Sequence, residues 1–111
     1  MTINESIYQI DTPALWVDLD KMEANIRYVK EQMDAFGVQW RPHTKGIKIP
    51  AIAHKLIAAG AIGVTCAKLS EAEIMAFAGI QDILVANEVV GEKKIQRLVA
   101  LRAHADVMVA V

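Results

Sequence analysis

Residues 60–91 read GAIGVTCAKLSEAEIMAFAGIQDILVANEVVG. An apolar run at 62–66 gives way to a helical stretch opened by Ser70 and Glu73, Gly79 stops that stretch, and a second apolar run follows at 83–86. The same alternation extends in both directions. Further β-prone runs lie at 14–19, 38–40 and 107–111, with helical patterns in the intervals. Asp20 and Glu23 match a capping box, after which Met22, Ile26, Val29, Met33 and Phe36 recur at helical spacing until Gly37. A second helix is expected from Pro50 to Gly60, with Ile52, Leu56 and Ile57 on one face. A fourth is expected over 92–105, with Ile95, Leu98 and Val99 inward and Lys93, Lys94, Arg97 and Arg102 on a solvated face. Continuous apolar strands repeating every 20 to 25 residues or so imply parallel pairing through right-handed crossovers. The class is therefore α/β.

Two architectures satisfy this pattern: a small doubly wound sheet complete in itself, or part of a (βα)8 barrel of roughly 250 residues. The final run, DVMVAV, is apolar and is followed by no covering helix. It points to a truncated barrel.

Composition narrows the function. With 54% hydrophobic residues the chain can bury a core, and 12 Lys and Arg spread against 13 Asp and Glu leave no basic footprint for nucleic acid. No apolar run reaches the roughly 18 residues needed to cross a bilayer, and MTINESIYQI lacks the basic start and apolar stretch of a secretion signal. A cytoplasmic protein without membrane or nucleic-acid partners is expected. Cys66, the only cysteine, excludes disulfides and cysteine-based zinc sites, and its setting suggests a buried strand thiol. His54 and His104 have no partners at metal-ligand spacing and read as surface or boundary residues, while Trp16 and Trp40 read as packing residues. There is no Gly-rich phosphate loop of either common type, no internal repeat beyond the βα period and no low-complexity linker.

In βα folds, chemistry gathers where strands end. The run 38–45 continues as Val38, Gln39, Trp40, Arg41, Pro42, His43, Thr44, Lys45, and the pleat places Arg41, His43 and Lys45 on one face with Trp40, Pro42 and Thr44 on the other. Three cations on one strand face are not packing residues. If that face lines a barrel interior, Lys45 stands in an enclosed, cation-rich setting that suits a neutral amine, the nucleophile that condenses with an aldehyde. The competing reading is an exposed loop, since Pro42, Gly46 and Pro50 are loop formers. Lys48 is a second candidate amine, expected to point to solvent or to a phosphate. Asn87, at the end of the run 83–86, and Lys68, after 62–66, are further candidates for holding a cofactor or substrate group.

The runs DTPALWVDLDKMEANI (11–26), RPHTKGIK (41–48) and the quoted 60–91 stretch together resemble the pyridoxal-phosphate enzymes that include D-threonine aldolase and eukaryotic-type D-serine dehydratase, relatives of alanine racemase. The RPHxK element is the specific part; the rest also suits many barrels. The resemblance implies that Lys45 anchors pyridoxal phosphate as a Schiff base, with His43, Arg41 and Asn87 around the cofactor or substrate. It also implies a leading strand at 14–18 belonging to a second, β-rich domain, a barrel starting near Val38, and four of its eight strands within residues 1–111. The second domain would be absent from these residues. Departures exist: many members have a second histidine where Ile47 stands before Lys48, and a Gln where this chain has Ala67, which leaves substrate identity open. Phosphate ligands, and those of a divalent metal in the full-length protein, would lie outside this chain, so no metal site is assigned within it. The implied activity is a lyase acting on small D-amino acids, foremost aldol cleavage of β-hydroxy-D-amino acids such as D-threonine. Dehydration of D-serine, racemization, or a non-enzymatic cofactor carrier are alternatives, as is a flavodoxin-like module complete in itself. The resemblance is consistent with a homodimer. Residues 1–111 alone are expected to be inactive.

Overall fold

The computed structural model describes residues 6–111. Half of the stretch read for a secretion signal, residues 1–5, lies outside the described residues. After a single 3-10 turn at Ile7–Gln9 come α1 (Leu19–Ala35), α2 (Pro50–Ala58), β1 (Val64–Cys66), α3 (Leu69–Phe77), β2 (Asp82–Val85), α4 (Glu92–Leu101) and β3 (Asp106–Val109). Proline at the first position of α2 loses no hydrogen bond there, because the first N–H groups of a helix have no intrahelical partner. Gly79, at φ 91°, turns the chain from α3 back toward β2 in a conformation that a side chain would resist.

β1, β2 and β3 form a parallel sheet in sequential order, with Val64 opposite Ile83 and Ile83 opposite Val107. Sequential order with right-handed crossovers places every helix on one face. The core agrees: Val64, Cys66, Ile83, Val85 and Val107 share a single cluster with Ala53 of α2, Met75 of α3 and Leu101 of α4. A doubly wound sheet would reverse its strand order and carry helices on both faces. The arrangement is that of a barrel wall. A smaller cluster of Ile26, Leu56 and Ala61, with Trp40 against it, docks α1 onto α2.

Several local expectations are corrected. The cap of α1 is Asp18, whose carboxylate accepts the Lys21 N–H at 3.0 Å, while Asp20 lies inside the first turn and Glu23 pairs with Lys55. Ser70 and Glu73 form no capping box, because α3 already starts at Leu69 and Glu73 is taken by Arg97 of α4. Arg97 is nonetheless exposed, as expected, and its pair with Glu73 joins α4 to α3. α4 ends at Leu101 and is rotated from the expected orientation: Leu98 and Leu101 face the core, whereas Ile95 and Val99 are 48% and 66% exposed. Residues 14–18 form no strand among the described residues, and Trp16 is 66% exposed rather than packed.

The run 38–40 forms no regular ladder strand either. It is nonetheless tied to β1: the Ile62 N–H donates to the Trp40 carbonyl at 3.1 Å, the Thr65 N–H to Pro42 at 2.8 Å and the Thr44 N–H to Thr65 at 2.8 Å, with a parallel bridge between His43 and Thr65. Pro42 has no N–H to contribute, which accounts for a pairing of single bonds instead of a continuous ladder.

Candidate active site

The alternation expected for residues 40–45 is present. Thr44 is buried on the helix side, its hydroxyl donating to the Thr65 carbonyl at 3.1 Å and lying 3.7 Å from the Cys66 sulfur. Arg41, His43 and Lys45 fall on the opposite face. On that face the strand register stacks side chains in three levels. Near the strand starts stand Arg41, Gly63 and Asp82, with Asp106 opposite Asp82; in the middle come His43, Thr65, Leu84 and Met108. At the exits, backbone bonds from Ala86 to the Cys66 carbonyl and from Ala110 to the Val85 carbonyl carry the ladders on to Ala67, Ala86 and Ala110. Lys45 lies one pleat beyond His43, at this last level. The mouth is therefore an amine beside a row of methyl groups.

Arg41 sits at the other end. Its guanidinium pairs with Asp82 across Gly63, and any side chain at Gly63 would collide with both Arg41 and the Asp82 carbonyl oxygen. Two pleats separate this pair from Lys45, about 14 Å of strand. The face thus carries fewer uncompensated cations than the bare sequence implies. Nor is Lys45 enclosed by the described residues: it and His43 are both exposed, on the open side of the sheet. The loop alternative also holds in part, since Lys45 begins a turn in which the Ile47 and Lys48 N–H groups both donate to the Thr44 carbonyl.

The structure separates the two candidate amines. Lys45 has no ion-pair or hydrogen-bond partner for its side chain among the described residues, whereas the Lys48 ammonium lies 3.4 Å from the Glu71 carboxylate. Lys48 is 60% exposed, as the solvent alternative expects, and shares its charge with Glu71. Its backbone is left-handed, φ 53°, an unfavourable conformation for a lysine. Glu71 is buried at 9% exposure and also accepts the Ala67 N–H at 2.8 Å. Burial pushes its carboxyl upward, but the Ala67 N–H and the Lys48 and Lys68 charges outweigh this and hold it below the usual carboxylate range.

His43 and Asn87 flank the same mouth. The Lys45 peptide N–H donates to His43 Nδ1 at 3.2 Å, so in the neutral ring the proton sits on Nε2. The Asn87 amide donates to the Ala67 carbonyl at 3.2 Å, which ties the β2 exit to the β1 exit and leaves Oδ1 as an acceptor. Lys68 is exposed and caps α3 through its backbone only. A cavity of about 120 Å³ lined by Lys68, Ser70, Asn87 and Lys94 opens between these exits.

A larger cavity of about 470 Å³ lies on the helix side, between Trp16, Ile26, Trp40 and Leu56. Its lining is mostly apolar and its one lysine, Lys21, pairs with Asp18 at 3.2 Å, so it does not compete with the strand mouth as a reaction site. Cys66 is fully buried on the helix side; burial pushes its thiol up, the Thr44 hydroxyl offsets part of this, and the Glu71 charge adds to it. His54, which contacts the Ala78 carbonyl, and His104, which packs on Phe77, are both exposed, as expected. Among the described residues no three His, Cys, Asp or Glu side chains gather as a metal site would require.

Sequence reasoning overlooked Glu71, Asp82 and Thr44. An acid opening the otherwise apolar run DILV was a signal for Asp82. Glu71 was hidden by the capping pattern of its neighbours.

The fold is a parallel barrel wall in which the Lys45 amine, unpaired among the described residues, stands at one strand exit. Residues 17–110 match the family "alanine racemase, N-terminal domain". The chain belongs to that family. This alanine racemase N-terminal domain is 43% identical over 107 residues to D-threonine aldolase of Arthrobacter sp, covering 96% of this chain and 28% of that protein. It is 38% identical over 109 residues to D-threo-3-hydroxyaspartate dehydratase of Delftia sp. (strain HT23), covering 98% and 29%. The crystal structure of D-threonine aldolase from Filomicrobium marinum superimposes with a TM-score of 0.91 at 46% identity, over 95% of this chain and 28% of that one. The domain thus spans less than a third of the length of these relatives.

Proposed function

We propose that the full-length protein is a pyridoxal-phosphate-dependent lyase acting on D-amino acids, and that residues 1–111 are the N-terminal part of its barrel, with Lys45 anchoring the cofactor. The carrying observation is the free Lys45 amine at a strand exit bordered by alanines, in a chain 43% identical to a D-threonine aldolase. The residues fit the group: an aldehyde needs an amine not committed to a carboxylate, and a planar ring needs room, which Ala67, Ala86 and Ala110 leave. When bound, the cofactor supplies an electron sink for the pair left when a bond to the substrate Cα breaks.

The remaining roles belong to this chain. His43, its Nδ1 occupied, offers Nε2 toward cofactor or substrate, and Asn87 offers Oδ1. Arg41 supports the wall from the strand starts through Asp82. A second domain, a divalent metal held by residues outside this chain, a homodimer and a cytoplasmic location complete the proposal. In its support, one solved relative, a D-threo-3-hydroxyaspartate dehydratase mutant, is described as in the metal-free form, and no described helix is long and apolar enough to cross a membrane. The barrel would take four strands from this chain: the segment 38–44, β1, β2 and β3.

The preferred reaction is aldol cleavage of a β-hydroxy-D-amino acid such as D-threonine, giving glycine and an aldehyde. The Delftia relative supports a second reading, dehydration to a keto acid and ammonia. Assaying the full-length protein for aldehyde and for ammonia from D-threonine and D-3-hydroxyaspartate separates them. Borohydride reduction with the cofactor, followed by peptide mapping, is expected to mark Lys45; label on Lys48, or on no lysine, overturns the proposal.

A further inference from the structure

Glu71 is the only charged side chain buried among the described residues, and nothing in the chemistry above employs it. Its carboxylate grips two things at once: Oε2 takes the Ala67 N–H at 2.8 Å and Oε1 lies 3.4 Å from the Lys48 ammonium. Between Thr44 and Lys48 runs the turn that carries Lys45. One end of that turn is pinned to β1, where the Thr44 N–H and hydroxyl both donate to the Thr65 carbonyl. The other end is the left-handed Lys48, which Glu71 ties to the residue just beyond the end of β1. Ile47 also holds the turn, packing against the Ile26, Leu56 and Ala61 cluster, but no other described side chain pairs with Lys48, and a lysine pays a conformational cost to stay left-handed. Two amines three residues apart would then both reach the mouth.

We propose that Glu71 is a positioning residue that holds the Lys45 turn to the β1 exit and draws the Lys48 amine aside, so that an aldehyde condenses at Lys45 in preference to Lys48. This rests on the reading of Lys45 as the cofactor's anchor. In the condensation the amine nitrogen adds to the aldehyde carbon and water leaves; borohydride then delivers hydride to that carbon, and the stable C–N bond marks the lysine that reacted.

The test uses full-length protein stripped of cofactor, mixed with pyridoxal phosphate for set times, reduced, digested and quantified at Lys45 and Lys48 by mass spectrometry. Wild type is expected to carry its label on Lys45. In Glu71→Gln, where the amide oxygen still accepts the Ala67 N–H but the charge is gone, the Lys48 share is expected to rise about threefold to fivefold, the range a partly exposed ion pair supports. A Lys48 share unchanged in Glu71→Gln, with wild type labelled on Lys45, overturns the role of Glu71 and leaves the anchor standing. Wild-type label elsewhere than Lys45 overturns the anchor itself. A second variant, Lys48→Met, keeps the conformational cost of the left-handed backbone but releases the tie, and its Lys45 is expected to label about threefold more slowly, as a loosened nucleophile should. If Glu71→Gln does not fold, Lys48→Met decides: Lys45 labelling at the wild-type rate overturns the proposal.

Discussion

The two faces of the parallel sheet obey different rules. Toward the helices, Val64, Cys66, Ile83 and Val85 are each 0% exposed, and close packing alone dictates that side. Toward the open side, the same strands present Thr65, Asp82, Leu84 and Met108, joined by Arg41, His43 and Lys45 from the neighbouring segment. One face is filled for volume, and the other gathers the polar and charged groups on which the proposed chemistry rests. Substitutions on the first should therefore act on stability and spare any intrinsic reactivity, while those on the second should do the reverse.

The sharpest break in that comparison is Lys45→Ala. Removing the proposed covalent anchor is expected to lower the proposed lyase turnover of the full-length protein by about a thousandfold or more, with a melting temperature close to wild type, since an exposed, unpaired side chain contributes within about 0.5 kcal/mol to stability. Equal losses of activity and of melting temperature would show that the faces are not separable. On the packed side, Ile83→Ala is expected to cost about 3 kcal/mol by cavity formation at a site with no exposure, read from the denaturant midpoint. Arg41→Ala tests the boundary between the faces. Its partner Asp82 is 38% exposed, so solvent screens the pair, and the expected loss is about 1 kcal/mol with a smaller drop in activity than at Lys45.

The mildest effect concerns acid. Glu71 is held below the usual carboxylate range when folded, so it binds protons more weakly folded than unfolded. Its stabilising contribution is complete above the ordinary carboxylate value and fades as pH falls through the lower, folded one. Glu71→Gln is expected to flatten the acid limb of the stability curve while leaving the alkaline limb alone, which urea midpoints across pH can check.

Much of the helix-facing side was legible before any coordinates. Apolar runs near 62, 83 and 107, the stop glycines and the proline opening α2 are local signals, and each element formed within a few residues of its expected place. The helix termini were less legible. Asp18, Asp20, Ser70 and Glu73 are all chemically competent caps or box partners, and which of them serves depends on where the chain leaves the preceding segment and on whether Arg97 arrives to claim Glu73. The rotation of α4 was illegible for a related reason: Ile95 and Val99 are as apolar as Leu98, and only docking against the sheet ranks them.

By itself the amino-acid order determined the α/β alternation, the parallel sense of the strands and the placing of Arg41, His43 and Lys45 on one face, because backbone periodicity is a property of neighbouring residues. Tertiary structure alone decided which charges are spoken for. Arg41 finds its carboxylate 41 positions away, at Asp82, and Lys48 finds Glu71 in the next βα unit, so which lysine keeps an unpaired amine on this turn, Lys45 rather than Lys48, is decided only once the chain has brought those groups together. Ion pairing acts through space, over a few ångströms, and carries no trace in local spacing.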